Sequence, residues 1–142
     1  MRIIAAIDDG GGLMFNRRRQ SQDRVLRERI LRLSDGARLW MNAYTRKQFA
    51  DADAQAVERI AVDEDFLQKA ADGDFCFVEN APVLPVLDRV ERVILFRWNR
   101  AYPSDLRFDL DLSAPPWTLI ETDEFLGSSH EKITEEVYAR EE

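Results

Sequence analysis

The sequence predicts an α/β domain: a mostly parallel central sheet flanked by helices and finished by an antiparallel C-terminal hairpin. Three observations carry this reading. Compact apolar runs recur at 2–7, 37–41, 57–62, 75–78 and 92–98; helical patterns separate several of them; and the last third changes to short strand-like pieces at 106–110, 117–122 and 131–140. The 142 residues suit one domain spanning 1–142, long enough to bury roughly 68–70% of its unfolded surface.

The elements follow in order. Residues 2–7 are Ile-rich and stop at Asp8-Asp9-Gly10-Gly11-Gly12, so a first strand runs into a loop that glycine leaves free to turn. Residues 13–20 have no clear period. Ser21-Gln22-Asp23 then offers capping oxygens ahead of Val25, Leu26, Arg29, Ile30 and Leu33, whose spacing of three and four is that of an amphipathic helix ending at Ser34-Asp35-Gly36. Residues 37–41 read as a second strand with a short helix through Phe49, and 57–62 as a third. Asp63-Glu64-Asp65 places acidic residues in the first turn of a helix that stops near Asp72-Gly73. Phe75-Cys76-Phe77-Val78 is the next strand; a Pro-bounded helix or turn covers 83–88, and 92–98 is a further strand. Residues 131–140 fit either a helix by propensity or a strand by alternation of Ile133, Glu135, Val137 and Ala139.

Composition narrows the function classes. Apolar residues make up 45% and charged residues 33%, a globular profile. The first apolar run is too short for a signal-peptide core or a membrane span, which predicts a soluble, cytoplasmic protein with no membrane partner. Cys76 is the sole cysteine and lies inside an apolar run, so it reads as a buried small hydrophobe. The net charge of −7 is uneven: residues 1–50 carry +6 and the remainder −13. A basic first third can face nucleic acid, or pack beside the acidic remainder or a second copy of the chain. The overall pI of 4.8 speaks against nucleic acid.

Several short segments in order resemble the dihydrofolate reductase-like family across nearly the whole chain. Ile3-Ile4-Ala5-Ala6 looks like its opening strand, Leu13-Met14-Phe15-Asn16 like the loop that follows, and Leu39-Trp40-Met41-Asn42-Ala43-Tyr44-Thr45 like the segment that holds cofactor phosphate. Val93-Ile94-Leu95-Phe96 is similar to its later central strand. Asp105-Leu106-Arg107-Phe108, Trp117 and Tyr138-Ala139-Arg140 are similar to its closing hairpin. The resemblance implies a site for NADPH and a pterin-like substrate, with Asp23 where the family holds the pterin ring, although Asp23 is equally well placed as a helix cap.

The departures lie at the cofactor. Where the family has glycine then arginine after Met41, this chain has Asn42 and Ala43, keeping only Thr45. The paired glycines of the later strand end are Glu79 and Asn80, and the first-loop glycine is Met14. An acidic side chain at a corner that should approach pyrophosphate adds bulk and repulsion. Arg17, Arg18 and Arg19 form the densest positive cluster and, with Thr45, are the candidate phosphate or ligand contacts. His130 is the only histidine, so a multi-histidine metal site is excluded, and Ser128-Ser129-His130-Glu131 reads as a polar turn.

The preferred reading is a small-ligand-binding or regulatory protein on a reductase-like fold with an eroded NADPH site. A divergent NAD(P)H-dependent reductase of a pterin-like or other small heterocycle is the alternative, with Asp23 orienting the substrate. A nucleic-acid-associated protein using Arg17, Arg18, Arg19 and the basic helix is the third reading.

Overall fold

The computed structural model describes residues 1–141. Strand β1 (Arg2–Ile7) lies at the centre of a seven-stranded sheet, because its side chains are apolar on both faces and the chain supplies cover for each. Beyond one side of β1 come β6 (Phe75–Phe77), β4 (Leu39–Met41) and β5 (Ile60–Val62); beyond the other come β7 (Arg92–Arg97), β10 (Ile133–Arg140) and β9 (Trp117–Phe125). The pairs from β5 through to β7 are parallel, whereas β10 runs antiparallel to both β7 and β9. This is the predicted architecture.

Alternation along β1 divides the core. Ile3, Ala5 and Ile7 pack with Phe66, Leu67, Val78, Val83 and Leu95 on one face. On the other, Ile4 packs with Leu26, Ile30, Phe49, Phe77 and Phe96. Helix α1 (Arg24–Leu33) covers this second face by burying Leu26 and Ile30 four residues apart. Short helices α2 (Ala43–Arg46), α3 (Ala54–Arg59) and α4 (Phe66–Lys69) complete the layers. Cys76 is fully buried, and desolvation pushes its thiol up to about 12, in keeping with its reading as an inert core residue. Among the described residues no helix is long and apolar enough to cross a membrane.

Three elements differ from expectation for identifiable reasons, and a fourth, left open between helix and strand, is settled. Residues 57–59 are helical, since Asp53 caps the Ala56 N–H at 2.8 Å and starts α3, leaving only Ile60–Val62 as strand. Residues 13–20 form a hairpin of β2 (Gly12–Phe15) and β3 (Arg18–Arg19), turned by Asn16 (φ 51°) and Arg17 (φ 62°). Two successive left-handed residues are the signature of a two-residue hairpin, but Asn-Arg lacks the glycine that would have signalled it. The piece beginning at Leu106 is not part of the closing hairpin: β8 (Leu106–Arg107) pairs with β2 to complete a second, three-stranded sheet. Residues 133–140 are a strand, as alternation rather than propensity indicated, because β10 is clasped on both sides by β7 and β9.

Candidate functional site

In an open parallel sheet the crevice lies beyond the carboxyl ends of the strands, where successive connections leave in opposite directions. Here β1, β4 and β6 end at Asp8, Asn42 and the Val78-Glu79-Asn80 segment. Asp8 ties down the glycine loop after β1: its Oδ1 accepts from Gly12 N at 2.7 Å and Gly10 N at 3.0 Å, and its Oδ2 from Tyr102 N at 2.9 Å. Burial works to raise the Asp8 pKa, but these N–H donors and Gln20 outweigh it and hold the carboxyl below its ordinary value.

Around the ends of β4 and β6 the chain satisfies its own donors. Asn42 caps α2, its Oδ1 accepting from Thr45 N at 3.0 Å, while its Nδ2 donates to Asn80 Oδ1 at 2.7 Å. The Ala43 N–H donates to Glu64 Oε2 at 2.9 Å. Glu79 is buried and meets Arg19 in a two-point pair, Nε to Oε2 at 2.9 Å and Nη2 to Oε1 at 3.1 Å. The Arg19 guanidinium lies 4.4 Å from the Tyr44 ring centre, and the Arg19 N–H donates to the Tyr44 hydroxyl at 3.0 Å. Burial would lower the Arg19 pKa, but the Glu79 hydrogen bonds and charge more than offset it.

The residues singled out from the sequence therefore occupy different places. Of the arginine run, only Arg19 turns inward. Arg18 is exposed on β3 opposite Phe15, and Arg17 sits in the hairpin turn. Arg17 joins Met14, Asn80, Asp105 and Leu106 around a hollow of about 290 Å³. Thr45 is fully buried and its hydroxyl has no partner among the described residues, so it does not join the arginines.

Asp23 belongs to a second cluster at the start of α1. Its carboxylate accepts from Val25 N (2.9 Å) and Leu26 N (3.2 Å) in its own helix, and from Ser128 N (3.0 Å) and Ser129 N (2.8 Å) in the segment between β9 and β10. Ser129 Oγ at 3.1 Å and His130 Nδ1 at 3.0 Å complete the shell. Gly127 is required for this approach, since a Cβ there would collide with the Asp23 carboxylate. Burial would raise the Asp23 pKa; the bonds from His130, Ser129, Ser128 and Leu26 overcome it and hold the carboxyl well below the usual range. The His130 ring stacks on Trp98 with centres 4.5 Å apart. Sequence reasoning saw both Asp23 and His130 but not their meeting, which joins positions 107 residues apart. Among the described residues no group of three or more His, Cys, Asp or Glu side chains is arranged to hold a metal ion.

No protein-family model matches the chain, and comparison with curated proteins gives no match. Solved structures do match. The dihydrofolate reductase of Enterococcus faecalis, determined with NADP(H) and RAB-propyl, superposes with a TM-score of 0.67 at 11% identity, over 99% of this chain and 96% of that one. With the parallel sheet, the flanking helices and the antiparallel β9–β10 pair already in place, this full-length correspondence shows that the chain has the dihydrofolate reductase-like fold.

Proposed function

We propose that this chain is a small-ligand-binding or regulatory protein in which the dinucleotide cleft of a reductase-like fold is closed by its own side chains. The observation that carries the reading is the Arg19–Glu79 pair at the end of β6. A pyrophosphate placed there would meet a buried carboxylate, and the guanidinium that would attract it is already engaged at two points. The Ala43 and Thr45 amides at the head of α2 are likewise taken up by Glu64 and Asn42. The hollow between Met14 and Leu106, at about 290 Å³, lies at the lower end of the range of small-molecule sites. Its Arg17 and Asn80 suit a small ligand with an anionic or carbonyl group beside an apolar body.

The test is thermal stability with and without excess NADPH or NADH. A ligand at a hundred times its dissociation constant adds about 2.7 kcal/mol and raises the melting temperature by several degrees. The expected result is no shift with either nucleotide for the unmodified chain. A shift of the unmodified chain overturns the proposal in favour of a divergent reductase.

A further inference from the structure

We propose that Ser21 is an activated nucleophile that accepts an acyl group from short carboxylic esters, with His130 as its base and Asp23 as the residue that positions His130. Ser21 Oγ lies 2.9 Å from His130 Nε2, and Nδ1 of the same ring lies 3.0 Å from Asp23 Oδ2. Asp23 is ionised and can only accept at that contact, so Nδ1 carries the hydrogen and the Nε2 lone pair faces the serine hydroxyl. This order of hydroxyl, imidazole and carboxylate is recognised by geometry, whatever the chain order or fold.

The surroundings hold the arrangement. His130 is 6% exposed and its ring is stacked on Trp98, so rotation away from Ser21 is blocked. Asp23 is fixed by four backbone N–H groups from two segments. Ser21, by contrast, is only half-buried and is open to solvent on one side. The following amide, Gln22 N–H, donates to no group among the described residues and would be the donor to a developing oxyanion. Tyr102 brings a second hydroxyl to 3.3 Å from Nε2.

In the acylation step Ser21 Oγ bonds to the ester carbonyl carbon while its proton passes to His130 Nε2. The bond to the leaving oxygen breaks, and His130 returns the proton to the departing alcohol. Water, giving its proton to the same nitrogen, then cleaves the acyl-serine, and the proton returns to Ser21 as the carboxylic acid leaves. None of this uses Arg19, Glu79 or the hollow beside Met14, so it stands or falls apart from the ligand-binding proposal.

The experiment treats the full chain with a fluorophosphonate and with p-nitrophenyl acetate, and reads adducts by intact and peptide mass. One adduct on Ser21, absent from Ser21→Ala, is expected. The rate per folded molecule should fall at least a hundredfold in His130→Gln and in Asp23→Asn, with folded fractions measured by circular dichroism; a purely structural role would leave that normalised rate unchanged. No adduct on the folded wild-type chain, an adduct on Ser129, or one that survives Ser21→Ala overturns the assignment. An unchanged rate in folded His130→Gln does the same.

Discussion

Among the buried carboxylates beyond the strand ends, Asp23 and Glu79 are held in opposite ways. Asp23 is surrounded by backbone: four N–H groups from two segments converge on it, and side chains add to a shell that backbone already fixes. Glu79 relies on a single side chain, Arg19, whose own remaining support is Tyr44. Backbone donors are oriented by the fold and have no rotamer freedom to lose, whereas an arginine must be ordered to make its pair. Asp23 is thus part of the scaffold, while Arg19–Glu79 is an insertion that the scaffold tolerates.

The largest effect should come from Asp23→Ala. It removes a helix cap, worth about 1 kcal/mol, together with charge-assisted bonds worth about 1.5–3 kcal/mol, so urea unfolding should show a loss of about 3 kcal/mol or more. Gly127→Ala strikes the same contact from the other side and should cost about 1–3 kcal/mol, the usual penalty of overpacking. Glu79→Gln leaves a half-buried guanidinium without its partner and should cost about 2 kcal/mol, less than a fully buried pair because Arg19 keeps some solvent and the Tyr44 ring. The paired change Arg19→Met with Glu79→Leu should be close to neutral. If that double variant is as damaging as Asp23→Ala, the contrast between the two clusters fails. Among single substitutions the smallest effect belongs to the exposed Arg24–Glu28 pair one helical turn apart, where Glu28→Ala should change stability by about 0.3 kcal/mol.

Acid separates the clusters further. The folded-state pKa of Asp23 is lowered, so between that value and the unfolded value near 3.9 the unfolded chain binds the extra proton. The stability due to Asp23 is therefore complete above about pH 4 and is lost as pH falls through the folded-state value. Asp23→Asn should flatten the acid limb of the stability curve; an unchanged limb would mean that other carboxylates carry it.

The layered fold was legible because its parallel strands are local apolar runs with their own boundaries, and because Asp23 announces α1 by capping chemistry that needs no distant partner. The seat of Cys76 in the core follows from the same local pattern. The hairpin of β2 and β3 was hidden, since Asn16 and Arg17 adopt left-handed geometry without glycine, and the partner of β2 is supplied from Leu106–Arg107, far along the chain.

The departures at Met14, Asn42, Ala43, Glu79 and Asn80 were visible as residue types, but not what answers them. That Arg19 rather than Arg17 or Arg18 turns inward depends on strand register. Elements with local signals could be read from the chain alone: strands and helices from periodicity, α1 from its Asp23 cap, and the buried thiol from its apolar run. Tertiary structure alone decided which charges meet. The Asp23–His130 contact spans 107 residues and the Arg19–Glu79 contact 60, and such pairings follow from the order and register of strands, which no local pattern encodes.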